Sequence, residues 1–263
     1  MSVHWYPGHM AKAFRLIENE VKKVDFVIEC RDARAPLSSR NPVLGDKIAN
    51  KPKLILLLKK DLADPNESQK WLKHLKDEGN YVLLLDTLKD PVPKLLISEI
   101  DKMMQFKRER EKRRGMKRRP DRALIVGVPN VGKSTLINQL SKRKAAAVEN
   151  RPGVTQALKL IQVNQYLDLV DTPGVLWPKF DTKEMGLHCA LVGSVKDTGF
   201  DYHTVLDYAL EKQGHDPQTF LEKFALEKGL LGKDGQADIT KASERYLNEL
   251  QNGKHGRITW DKL

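Results

Sequence analysis

One segment constrains this chain more than any other. An unbroken apolar run, Ala123 to Val128, passes through a glycine-bounded loop into a helical stretch, KSTLINQL, that opens at Lys133. The loop spells GVPNVGKST, Gly127 to Thr135, and matches the pattern G-x-x-x-x-G-K-[S/T]. Strand, loop and helix in that order make an anion cradle. Glycines let the backbone wrap the ligand, while successive N–H groups and the helix N-terminus present partial positive charge. A fold that holds this unit needs neighbouring parallel strands with crossover helices between them.

Those neighbours are legible. Three apolar runs precede the loop, VDFVIEC at 24–30, KLILLL at 53–58 and YVLLL at 81–85, with helical stretches at 9–22, 66–78 and 91–113. The alternation predicts an α/β fold, a mostly parallel sheet with helices on both faces. After the loop, LKLIQVN and YLDLVD turn at Asn164 and Gln165, which predicts an antiparallel hairpin on the sheet edge. Beyond about Phe180 the strand pattern stops. Helices are expected near 183–195, 201–213, 216–228 and 236–251, with Phe220, Phe224, Tyr246, Leu247 and Leu250 as a small core. The expected units are therefore 1–180 and a small all-helical unit at 185–263.

Charge narrows the partner. Lys and Arg total 46 against 35 Asp and Glu, a formal net charge of +11 that suits a polyanion. It is concentrated in a linker at 107–119, KREREKRRGMKRR, where nine of thirteen residues are basic. Such clusters bind phosphate backbones by counterion release; a solvated helix end is the other reading. Two cysteines give neither a disulfide framework nor zinc-type spacing. MSVHWYPGHM has no signal-peptide pattern, and no apolar run reaches membrane-spanning length, so a soluble cytoplasmic protein without membrane contact is expected.

Within the cradle, the nucleotide contacts fall on Asn130, Val131, Gly132, Lys133, Ser134 and Thr135. Lys133 is placed to reach the β- and γ-phosphates and Ser134 to hold Mg²⁺. PGVT at 152–155 and DTPG at 171–174 follow at spacings of about 20 and 40 residues. Asp171 and Thr155 become further Mg²⁺ candidates, and the Gly174 N–H a sensor of the γ-phosphate. Alone, either tetrapeptide reads as a turn; their order after the loop points to a nucleotide-hydrolysing switch domain.

The base is addressed upstream. Leu58-Lys59-Lys60-Asp61 follows a buried strand and is one residue short of Asn-Lys-x-Asp. A carboxylate at Asp61 can accept from guanine N1–H and the exocyclic amine, whereas adenine offers an acceptor at the first point and nothing at the second. Lys59 can lay its stem along the base. Solvated residues after a strand are the plainer alternative. A circularly permuted sheet brings this motif across the base from the cradle although it precedes it in the chain, and surface-lying, neighbouring termini tolerate such a new opening. LDTLKD at 85–90 then falls where a backbone contact to guanine belongs, making Asp86 and Thr87 candidates.

WYPGHM at 5–10, DARAP at 32–36 and GVPNVGKST, in that order, closely resemble the circularly permuted GTPases of ribosome assembly, of the bacterial type that acts on the large subunit. The resemblance spans nearly the whole chain. It implies GTP and GDP with Mg²⁺, a K⁺ ion coordinated by Asn130 (a loop-bracing amide is the alternative), and a helical C-terminal domain that binds RNA. It also implies an immature large (50S) ribosomal subunit and its rRNA as partner, turnover coupled to maturation and release and stimulated by ribosomal particles, and a monomer when free. Leu58 departs from the family's Asn, and Val175 stands where small GTPases carry a water-orienting Gln. Lys133 and His9 are the catalytic candidates, His9 both by resemblance and because the permutation puts its helix where the one after D-x-x-G normally lies; a structural His is the alternative. DARAP reads as a surface turn, or as a segment whose Arg34, with Arg40 nearby, faces RNA or nucleotide. A non-catalytic scaffold that holds nucleotide and binds rRNA is the competing function.

Overall fold

The computed structural model describes residues 15, 17–41, 51–141, 159–174, 176, 180–195 and 199–263. Its six strands are β1 (Phe26–Asp32), β2 (Lys53–Leu58), β3 (Tyr81–Leu85), β4 (Asp121–Gly127), β5 (Lys159–Asn164) and β6 (Leu167–Asp171). They form one sheet in the order β3-β2-β1-β4-β6-β5, all parallel except β5, which pairs antiparallel with β6. The edge hairpin and the parallel sheet are as expected. β4, which leads into the anion cradle, sits in the middle, with the three strands that precede it in the chain all on one side.

Residues 15 and 17–21 are helical, and the helices after β2 are α1 (Pro65–Asp77), α2 (Val92–Arg113) and α3 (Lys133–Leu140), then α4 (Lys183–Leu191), α5 (Tyr202–Lys212), α6 (Pro217–Glu227) and α7 (Ile239–Gln251). β2 shows why its run is continuously apolar. Ile55 and Leu57 pack with Trp71 and Leu75 of α1 on one face. Leu54, Leu56 and Leu58 enter the main core on the other, with Leu96 and Met104 of α2 and Leu136 of α3. Local chemistry starts the helices: Asp64, Thr182, Asp201, Asp216 and Asp238 each accept a hydrogen bond from a backbone N–H of the first turn.

Phe220 and Phe224 of α6 meet Tyr246 of α7 edge to face, with ring centroids 5.0 and 5.2 Å apart. These residues do not make a separate core. Their buried neighbours run without a break through α5 and α4 into the apolar face of the sheet.

Two strands are displaced from the apolar runs. β1 continues through Arg31 and Asp32, both buried, and β4 begins at Asp121. The surface-turn reading of DARAP is therefore corrected. Asp32, Ala33, Arg34 and Ala35 are all buried, because the C-terminal helices and the final residues of the chain cover them. Arg34 faces neither solvent nor RNA, whereas Arg40 is exposed.

Candidate nucleotide site

Because β1 to β4 and β6 are parallel, the segments that follow them all leave from one edge of the sheet. Five segments singled out in the sequence share that edge: Asp32–Pro36 after β1, Leu58–Asp61 at the end of β2, Asp86–Thr87 after β3, the cradle after β4 and Asp171–Gly174 at the end of β6. Ligands of open parallel sheets bind at this edge, where the connections diverge to either side.

In the cradle, Gly132 has φ 110°, a value that excludes most side chains, and caps α3 without any side-chain hydrogen bond. The first N–H groups of α3 are therefore not taken by a side-chain cap. Lys133 is buried, and its ammonium donates to the carbonyls of Gly127 at 3.1 Å and Val128 at 3.3 Å. Burial lowers its pKa from the ordinary lysine value. Val131 is fully buried, Thr135 half-buried and Ser134 exposed. Gly174 approaches the cradle so closely that a Cβ there would come within 2.9 Å of Pro129 Cα and 3.0 Å of Lys133 Nζ. Only glycine fits, so the DTPG segment and the predicted phosphate-reaching lysine touch.

Asp171 is half-buried; burial raises its pKa and the Lys133 charge draws it down. A hydroxyl at Ser134 and this carboxylate are hard oxygen donors of the kind Mg²⁺ takes, and a cation there would relieve the burial cost of the Asp171 charge. Asn130 has φ 56° and donates its side-chain amide to the Gly193 carbonyl at 2.9 Å. His9, Thr155 and Val175 lie outside the described residues.

The base loop is built without a side-chain amide. Leu58 is fully buried and packs over Gly132. Lys59 has φ 60°, and its ammonium sits 3.1 Å from Asp32 Oδ2. The Ala33 N–H donates to the Leu58 carbonyl at 2.8 Å. Lys60 pairs with Asp90 at 2.6 Å, which in turn accepts from the Asp86 N–H at 2.9 Å. Asp86 accepts from the Leu88 N–H at 2.9 Å, and Thr87 is buried. The 58–61 and 86–90 segments are thus one bonded unit, with the half-buried Asp61 at its mouth.

A seam that the sequence did not reveal joins this edge to the C-terminal helices. Arg34 donates to both oxygens of Asp32, from Nε at 2.9 Å and Nη2 at 2.8 Å. It also reaches the carbonyls of Gln251 at 2.8 Å and Val192 at 3.1 Å, where α7 and α4 end. Nearby, Asp261 accepts from the backbone N–H groups of Leu37 and Ser38, both at 2.7 Å, and from Ser38 Oγ at 2.5 Å. His188 Nδ1 lies 2.6 Å from the same carboxylate and 3.0 Å from Ser38 Oγ, while its Nε2 meets the Tyr208 hydroxyl at 2.7 Å. Ser, His and Asp here do not make a nucleophile. Ser38 is fully buried, and serine and aspartate converge on the same ring nitrogen instead of on opposite ones. The only sequence signal for this seam was the unusual run of charges after a buried strand.

Strand order, cradle and upstream base loop together define the class, a circularly permuted P-loop GTPase with a helical C-terminal region. A family model described as a 50S ribosome-binding GTPase matches residues 122–225. Ribosome biogenesis GTPase A of Priestia megaterium is 40% identical, covering 99% of this chain and 97% of that one. Mitochondrial ribosome-associated GTPase 1 of Xenopus tropicalis is 36% identical over 98% and 94%. The crystal structure of GNP-bound YlqF from T. maritima superposes with a TM-score of 0.76, and a GDP-bound structure of TM YlqF with 0.74. Both are 29% identical, and they cover 95% and 94% of this chain and 98% of theirs. The chain belongs to the ribosome biogenesis GTPase A family. It binds guanine nucleotide and hydrolyses GTP, which sets the scaffold alternative aside.

Proposed function

We propose that this GTPase acts on an immature large ribosomal subunit, contacts its rRNA, and couples GTP turnover to maturation and release. The observation that carries the nucleotide half is the convergence of five separate segments on one edge of the sheet. In this reading Lys133 serves the β- and γ-phosphates and acts in catalysis. The N–H groups of Asn130 to Thr135 cradle the phosphates, and Asp61, with Lys59, Lys60, Asp86 and Thr87, reads guanine. Ser134, Asp171 and Thr155 hold Mg²⁺, which when bound would offset charge developing on the phosphates. Asn130 turns its amide N–H toward Gly193, leaving Oδ1 for K⁺. His9 is the candidate for orienting the attacking water, with Val175 unable to do so.

The ribosomal half is supported by how the linker divides its charge. Lys107 and Arg119 bind Asp25, each at 2.7 Å, and Arg108 binds Asp121 at 2.7 Å, stitching the linker to the amino edge of the sheet. Arg118 stacks over the Tyr166 ring at 4.1 Å. Arg110, Lys112, Arg114 and Lys117 are exposed and form no ion pair among the described residues; they cluster around the end of α2 that leads into β4, away from the nucleotide edge. Phosphate-backbone binding uses such unpaired charge.

The test is GTP turnover by the full chain, alone and with purified 50S precursors. Stimulation of tenfold or more by the particles, absent with mature 30S subunits, supports the reading. Equal turnover with and without them overturns the coupling while leaving the GTPase itself intact.

A further inference from the structure

With leucine at position 58, the base loop has no side-chain amide to brace it, yet it is held in a conformation that needs bracing. Lys59 adopts φ 60°, a region L side chains rarely occupy and hold only where their surroundings over-determine it. Those surroundings come from the segment after β1. The Ala33 N–H fixes the Leu58 carbonyl at 2.8 Å, and the Asp32 carboxylate holds the Lys59 ammonium at 3.1 Å. Asp32 is itself immobilised, fully buried and bound by the Arg34 guanidinium and by its backbone N–H at 3.0 Å.

We propose that Asp32 is a positioning residue of the guanine site, fixing the Lys59 turn, and with it Asp61, in place of a side-chain amide at position 58. This rests on the guanine reading given above and adds a residue to it. The second partner of Asp32 extends the consequence. Arg34 grips the ends of α4 and α7, and the Trp260 N–H donates to its carbonyl at 2.7 Å. One buried ion pair therefore serves both the base loop and the seating of the C-terminal helices, so a loop set for guanine and a seated helical region favour one another.

The test is equilibrium binding of GDP, with ADP as control, to the full chain and four variants, the last combining Asp32→Asn with Lys59→Met. Lys59→Met keeps the aliphatic stem and removes the ammonium, and with it the tie to Asp32. GDP binding is expected to weaken about tenfold, the worth of one charge-assisted hydrogen bond. KM for GTP should rise in parallel. Adding Leu58→Asn to Lys59→Met should recover most of the loss, because a brace is supplied from another direction. A Lys59→Met protein that binds GDP like the wild type overturns the proposal. So does a loss that Leu58→Asn fails to recover, since the ammonium would then act on the nucleotide and not through Asp32. Asp32→Asn should reproduce the Lys59→Met loss without adding to it, and additive losses would contradict the proposal. If Asp32→Asn fails to fold, the Lys59→Met pair decides alone. A wild type without preference for GDP over ADP removes the guanine reading and this proposal together; a selective wild type with an insensitive Lys59→Met removes only the latter.

Discussion

Leu58 lies against Gly132: a carbon at the Cβ position of that glycine would sit 3.4 Å from Leu58 Cδ1. The residue that departs from the family's Asn is thus the apolar contact between base loop and phosphate cradle. Leu58 also belongs to the core, fully buried with Leu54 and Leu56. Binding and stability therefore make opposite demands at this position.

Leu58→Asn should tighten GDP binding about two- to tenfold, the worth of one added hydrogen bond of about 0.5–1.5 kcal/mol. The same substitution should lower Tm, because a core leucine gives way to an amide. Titration calorimetry and a thermal melt on the same preparation check both. Leu58→Ala should lower both affinity and Tm, by opening a cavity worth about 2–5 kcal/mol.

Lys133→Met should reduce GTP turnover by about a hundredfold or more, the usual scale for removing a preorganised positive group from a transition-state site. The fold should persist, since the lysine's partners are two backbone carbonyls of its own loop. Turnover at saturating GTP beside a far-ultraviolet spectrum separates lost chemistry from lost structure.

Asp25 ties the linker to the sheet, and its pH dependence has a definite sign. Burial raises its pKa, but hydrogen bonds from Arg119, Lys107 and the Arg122 N–H outweigh this and hold the carboxyl far below its usual range. A depressed folded value means that the stabilisation is complete above the unfolded pKa of about 3.9 and is lost as pH falls below it. Asp25→Asn should therefore be less stable than wild type at pH 7, with the gap closing as pH drops below about 4. Urea denaturation at pH 7, 4 and 3 measures that gap.

Cys30 is buried behind the cradle, and burial pushes its thiol up to about 12; Cys189 is likewise buried and raised. Neither thiol should react with a disulfide reagent at pH 8 in the folded protein, and both should react in denaturant. Rapid labelling of Cys30 in the native state would contradict the packing of β1 against β4.

Charge reversal of Arg110, Lys112, Arg114 and Lys117 should weaken RNA binding and flatten its salt dependence by up to about one unit of slope per residue that contacts phosphate. Tm should hardly change, because these four carry no ion pair among the described residues. Arg108→Ala should do the reverse, lowering Tm through its lost Asp121 contact with a smaller effect on RNA. Filter binding across a salt series, with melts alongside, distinguishes the two groups.

Much of the sheet could be read directly. KLILLL and YVLLL are β2 and β3 to the residue; β2 is buried on both faces and so must be continuously apolar, and the edge strand β3 keeps the same pattern with partial burial. The same rule misplaced the end of β1. Arg31 and Asp32 break the apolar run, and nothing local says that Glu29 will pair with Arg31 at 2.8 Å and Arg34 with Asp32, so that charged residues can complete a buried strand. The linker was similarly half legible: its basic density was plain, but not that Asp25 and Asp121 pair with three of its nine positive residues.

The sequence by itself determined the anion cradle and the strand–helix alternation, because each depends on residues within a few positions of one another, and the permuted order of the motifs, because order along the chain is what a sequence records. Only the tertiary structure decided that DARAP is interior, that Asp32 answers Lys59, and that Asp261 caps a turn at Leu37 from 224 residues away. Such contacts have no spacing rule. They form because a folded chain must pair each buried charge and N–H with whatever partner the packing brings near, and that partner's position in the sequence is set by topology.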